Sequence, residues 1–235
     1  MTPDAVYVAA WHNIGDSDFF TPPTWEQVVK NDTDGDGMMT AAELPKDLYI
    51  VIRPGAGNVE GANINVAFLL TMADGNKDGK LSKDEYEGVV KMATTMRRDH
   101  GLTAIKTGGE GDVTKSHVLW TEKKSVSEVP APLVFGDRVY MVTNGGVVTC
   151  IEAKTGKLAY RGRLGAGGMY LASPIVAGER VYFASVDGVI SVLKPLDSLE
   201  VIARNDLGET IYATPAVADK TLYVRTSGHL YAFAE

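Results

Sequence analysis

The sequence is poor in the side chains that staple a fold or bind metals through sulfur and imidazole. Cys150 is the single cysteine in 235 residues, which excludes an internal disulfide and says little about redox compartment. The four histidines, His12, His100, His117 and His229, are scattered, with no H-x-x-x-H or C-x-x-C spacing, which removes the usual zinc sites. No apolar run approaches the roughly 18 residues that a membrane helix needs, so no membrane span is expected. The opening MTPDAVYVAAWHNIG is not a basic segment followed by an apolar one, so no signal peptide is recognised in it. Positive charge is also scarce: the net is −7, which argues against nucleic acid as a partner. What is present, 45% hydrophobic residues and 25 glycines, suits a globular chain with a real core, in one large domain or two modest ones.

Proline, tyrosine and glycine recur in register. Pro132, Pro174 and Pro215 are separated by 42 and 41 residues, Tyr140, Tyr182 and Tyr223 by the same intervals, and Gly146, Gly188 and Gly228 by 42 and 40. Each unit reads as a strand, a two-residue turn (Gly136-Asp137, Gly178-Glu179), a second strand, a glycine turn, and a third and fourth strand. A period near 40 with four strands per unit is the pattern of β-propeller blades. AVYVAAW at 5–11 matches a second strand, GLTAIKTGGEGDV at 101–113 a third strand with its turn, and SHVLWTEK at 116–123 a fourth. One blade is therefore interrupted, and residues 12–100 form an insert, which surface loops tolerate because closure entropy grows slowly with length. In the insert, TWEQVVKN, NVAFLLTMA and SKDEYEGVVKMATTM carry apolar residues at helical spacing, the last with Tyr86, Val89, Val90 and Met92 or Ala93 on one face. The expected fold is mainly β: a partial β-propeller of four-stranded antiparallel blades (residues 1–11 and 101–235) carrying an α-helical EF-hand pair at 12–100.

The helical insert contains two acidic loops, DTDGDGMMTAAE at 32–43 and DGNKDGKLSKDE at 74–85. An EF-hand loop needs oxygen ligands at positions 1, 3, 5, 9 and 12, a carbonyl at 7, and glycine at 6 for the bend. The first loop supplies Asp32, Asp34, Asp36, Thr40, Glu43 and the Met38 carbonyl, with Gly37 at the bend. The second supplies Asp74, Asn76, Asp78, Ser82, Glu85 and the Lys80 carbonyl, with Gly79. Position 8, where paired loops join, holds Met39 and Leu81. Cages made wholly of oxygen suit Ca²⁺, so two calcium sites are expected. Residues 24–95 hold twelve acidic and seven basic residues, a net of −5 out of the chain's −7, so two calcium ions would nearly neutralise the segment. Four carboxylate ligands against three predict that the first loop binds more tightly. Attachment of the insert to a blade at both ends favours a structural role over a sensor.

The stretch CIEAKTGKLAYRGRL resembles the repeat of the pyrroloquinoline-quinone-like β-propeller family. Ala153, Thr155, Gly156 and Lys157 match its Ala-x-x-Thr-Gly-Lys turn, with Tyr160 where tryptophan is usual. LTAIKTGGEG and LYVRTSGHLYAF are similar to bacterial extracytoplasmic members. The resemblance implies a chain outside the cytoplasm, periplasmic or secreted. It implies one of two functions: a non-catalytic binding or scaffold module, like the lipoprotein of the outer-membrane assembly machinery, or a fragment of a quinone-dependent oxidoreductase. A quinone site in that family would also need a metal ligand set and adjacent cysteines, and Cys150 stands alone. No catalytic or cofactor-binding residue is assigned. Arg163, Arg225, Tyr170 and Tyr212 recur near strand ends, where they either line a ligand face or pack. GGEG at 108–111 and GAGG at 165–168 read as blade turns. The first blade lacks a first strand and the last a fourth, so the expectation is the C-terminal part of a longer protein, its partners being missing N-terminal blades or another protein. The function expected from these features is that of a calcium-binding, non-catalytic scaffold.

Overall fold

In strands that alternate inward and outward side chains, each face can be buried only against a neighbouring layer. The computed structural model, which describes residues 2–11, 20–52, 63–95 and 100–234, satisfies this with four antiparallel sheets of three or four strands, together with two short two-stranded ribbons. His12 and much of the connection between the acidic loops, 53–62, lie outside the described residues. The chain divides into two compact units. One is built from the residues up to Trp11 and from the C-terminal part of the chain, and it holds all four sheets.

The first sheet orders Ala5–Ala10, Gly101–Lys106 and Val118–Glu122 side by side. The second is a meander of Leu133–Phe135, Arg138–Thr143, Val147–Glu152 and Leu158–Arg163. The third repeats it with Ile175–Ala177, Arg180–Ala184, Val189–Leu193 and Val201–Asp206. The fourth contains Ala216–Ala218, Thr221–Arg225 and Leu230–Ala234. Register is the same in all four: Tyr7 faces Ala104, Tyr140 faces Cys150, Tyr182 faces Val192 and Tyr223 faces Ala232. A bulge follows Ala104, Cys150 and Val192, so even the irregularity recurs. Gly136 and Gly178 open their hairpins at φ +59° and +58°, whereas Asp219 and Lys220 do so in the fourth sheet at +47° and +63°.

Burial explains why the tyrosine interval is visible in the sequence. Val139, Met141 and Ile151 pack on Tyr7, Leu102 and Trp120 of the first sheet. The opposite face, with Tyr140, Val142 and Cys150, meets Val181, Phe183 and Leu193 of the third. Ala184, Ile190 and Val192 then meet Leu222 and Val224 of the fourth. The inner sheets are thus buried on both faces, as propeller blades are, and each such aliphatic side chain contributes about 1.5–3 kcal/mol. Cys150 is fully buried in this core; burial pushes its thiol up to about 11.

Two sets of contacts lock neighbouring sheets. Trp120 Nε1 donates to the Ala153 carbonyl at 3.0 Å, Tyr7 Oη donates to the same oxygen at 3.1 Å, and the two rings lie 5.8 Å apart. Beneath Trp120 sits Gly156 of the Ala-x-x-Thr-Gly-Lys turn, at φ +74°, where an added Cβ would fall 2.7 Å from the ring. The residues before the repeat prolines form the second set: the Ala131 amide donates to Ser173 Oγ at 2.9 Å, and the Ser173 amide to Thr214 Oγ1 at 3.0 Å.

The second unit carries the helices α1 (Trp25–Val28), α2 (Ala67–Ala73) and α3 (Lys83–Thr95). Its core gathers Val28, Met39, Leu44, Ile50, Val51, Leu69, Leu81 and Tyr86. Along α3 it is Ala93 rather than Met92 that shares the buried face with Tyr86. The Tyr86 hydroxyl donates to the Pro23 carbonyl at 2.6 Å. No helix among the described residues is long and apolar enough to cross a membrane.

Candidate metal centre

The two acidic segments fold alike because side chains at matching positions cap the amides of the bend. In the first, Asp32 accepts the Gly35 and Gly37 amides at 2.7 and 2.9 Å, and Asp36 accepts that of Met38 at 2.8 Å. In the second, Asp74 accepts the Asp78 and Gly79 amides at 3.1 and 2.9 Å, and Asp78 accepts that of Lys80 at 2.8 Å. Asn76 Oδ1 accepts the Asp78 amide at 3.0 Å, as Asp34 accepts the Asp36 amide at 3.1 Å. The bends need left-handed backbone: Gly37 and Gly79 stand at φ +77° and +78°. Ahead of them Gly35 is at +74° and Lys77 at +61°, a costly place for a lysine.

The closing glutamates reach back across their loops. Glu43 accepts the Thr33 amide and hydroxyl at 3.1 and 2.6 Å, and the Thr40 amide and hydroxyl at 3.0 and 2.7 Å. These bonds, the Thr33 hydroxyl first, hold its carboxyl at about 2. Glu85 accepts from Gly75, at 3.2 Å, and from the Ser82 amide and hydroxyl at 3.0 and 2.8 Å; the Ser82 amide leads in holding it below the usual range. Thr33 had no role in the spacing argument, although its hydroxyl is what distinguishes the first glutamate from the second.

Met39–Thr40 and Lys80–Leu81 form a two-residue antiparallel ribbon, in which Met39 faces Leu81 and Thr40 faces Lys80. Both Met39 and Leu81 are fully buried, so the loops are joined through the core of their unit. The helical frame is less regular. The second loop lies between α2 and the 13-residue α3. The first is entered from the single turn of α1 and a 3₁₀ turn, Val29–Asn31, and is left by a turn at 41–43 instead of a helix. Pro45 explains the second of these, since it disfavours helix for Leu44 and cannot donate an amide to one.

Carboxylate oxygens of Asp32, Asp34 and Asp36 all lie within 4.8 Å of one another. Hard, clustered oxygens of this kind fit Ca²⁺ better than a softer ion. Three like charges so close repel one another, and Lys80, which donates to Asp36 Oδ2 and stands 3.7 Å from Asp34 Oδ2, offsets part of that repulsion. The lysine holds the Asp36 carboxyl below its usual range, and Asp36 raises the lysine in turn.

The other polar residues singled out by position do not converge. Tyr170 is buried and its hydroxyl donates to the Ala166 carbonyl at 2.9 Å, while Tyr212 is 60% exposed. Arg225 Nε donates to the Thr226 carbonyl at 2.9 Å. A hydrogen-bond cluster around one carboxylate lies beside the fourth sheet, where Glu209, on the connection from the third sheet, accepts the Gly228 amide at 3.0 Å, the Thr226 hydroxyl and His229 Nδ1 at 2.7 Å.

A family profile described as outer membrane protein assembly factor BamB matches residues 111–233, which span the last strand of the first sheet and all of the other three. Both acidic loops lie outside the match. Among solved structures, the chain is similar to BamB from Moraxella catarrhalis, with 26% identity and a TM-score of 0.44 over 56% of this chain and 39% of that one. It is also similar to a quinohemoprotein alcohol dehydrogenase from Pseudomonas putida HK5, with 17% identity and a TM-score of 0.36 over 43% of this chain and 17% of that one. The chain thus spans about two-fifths of the BamB structure. No curated protein matches. With the profile covering more than half of its length, the chain belongs to the family of the outer membrane protein assembly factor BamB.

Proposed function

We propose that the chain is a calcium-binding, non-catalytic β-propeller scaffold that works outside the cytoplasm, where a protein partner binds its blades. An EF-hand pair would hold two structural calcium ions: one on Asp32, Asp34, Asp36, Thr40, Glu43 and the Met38 carbonyl, the other on Asp74, Asn76, Asp78, Ser82, Glu85 and the Lys80 carbonyl. The observation that carries this reading is the pair of twelve-residue loops with one backbone plan, joined at Met39 and Leu81. The insert would correspond to residues 12–100, between the second and third strands of a blade. Family membership supports the scaffold half, since the matching family is described as an assembly factor.

Calcium chloride titrated into chelator-stripped protein, followed by calorimetry, should reveal two sites. Asp32→Ala and Asp74→Ala should each remove one, and calcium should raise the melting temperature. Absence of heat at millimolar calcium with an unmoved melting temperature would overturn the metal reading. Quinone reconstitution with dye-linked oxidation of alcohols should give no turnover, and turnover would overturn the non-catalytic reading.

A further inference from the structure

We infer that Lys80 is a tethered competitor for the cation of the first loop. The inference rests on the metal reading just given. In the ribbon, Lys80 faces Thr40, so its side chain leaves its own loop and crosses to the other. There its ammonium donates to Asp36 and lies 3.7 Å from Asp34, engaging two of the three clustered carboxylates. Its carbonyl, meanwhile, stands at the seventh position of the second loop. One residue thus offers an oxygen to one loop and a positive charge to the other.

The arrangement is not reciprocal. The seventh position of the first loop is Met38, which has no charge to send back. Nor does Lys83 duplicate Lys80, because its ammonium lies 3.7 Å from Glu87 on α3. A divalent ion entering the first loop must therefore displace or outweigh a charge that the second loop keeps there. Counting carboxylates favours the first loop; Lys80 opposes that advantage, and its removal restores it.

The test is a calcium chloride titration of the full chelator-stripped chain, native and with Lys80→Met or Lys80→Arg. The Asp32→Ala and Asp74→Ala variants assign each heat to a loop, and circular dichroism confirms folding. Lys80→Met should tighten the first site by about fivefold, the lower end of usual coupling between sites. Lys80→Arg, which keeps the charge, should leave it unchanged. In the native chain, calcium should shift the Lys80 Nζ resonance, a change that loss of packing alone does not produce. An unchanged or weaker first site in Lys80→Met, with calcium still bound, overturns the competitor and leaves the metal reading standing. No calcium heat in the folded native chain overturns both.

Discussion

Gly156→Ala tests how adjoining sheets are held together. Two costs meet at this position. At φ +74° an alanine sits in the left-handed region, at about 1–2 kcal/mol. Its Cβ would also lie 2.7 Å from Cγ and Cδ2 of Trp120. Those atoms are near the root of a ring whose Nε1 is bonded to Ala153, so the ring cannot swing aside cheaply. Overpacking of this kind costs about 1–3 kcal/mol, for a total of about 2–5 kcal/mol. Gly136→Ala supplies the control, because φ is +59° there and nothing stands within 4 Å of the added carbon. It should lose only the conformational part, about 1–2 kcal/mol. Urea denaturation followed by far-ultraviolet circular dichroism measures both. Equal losses in the two variants would refute the claim that Trp120 is clamped over this turn.

Cys150 should resist Ellman's reagent at pH 8 in the folded protein and react fully in denaturant, because it is buried and its thiol is raised to about 11; rapid native reaction would contradict the packing. Lys77→Gly should stabilise the calcium-free protein by about 1 kcal/mol in the same urea assay, by relieving a lysine held at φ +61°, and a loss would show that its side chain makes an overriding contact. Glu209 is held below the usual carboxylate range, first by the Thr226 hydroxyl, then by the Gly228 amide and His229. A depressed folded value means that its stabilisation is present above the unfolded value, near 4.5, and is lost as pH falls through the folded one. Carbon NMR titration should place Glu209 below exposed glutamates, and Thr226→Val should move it back up.

Legibility in the sequence follows from what repeats. Tyr140, Tyr182 and Tyr223 keep their interval because each occupies the same register position in its own sheet, so the periodicity of the text is that of the hydrogen-bond ladder. Pro45 is likewise a local signal, since a proline two residues past Glu43 leaves no room for a full helix after the first acidic loop. Contacts between repeats were hidden. Ala131, Ser173 and Thr214 are three different residues, yet they form one chain of amide-to-hydroxyl bonds. The contact between Lys80 and Asp36 spans 44 residues and exists only because the ribbon brings the loops side by side. Trp120 falls within the fourth-strand stretch SHVLWTEK, but its partner turn lies in the next repeat, where neither spacing nor propensity points to it.

The gradient of burial along the stack of sheets has a consequence for how this unit comes apart. Met141, Val142, Val148 and Phe183 are sealed from water in the middle, while Val8 at one end and Leu230 at the other are 46% and 67% exposed. In an array that coheres only through nearest neighbours, such ends fray first. Warming should therefore peel the terminal sheets into solvent while the central pair still protects its amides from deuterium.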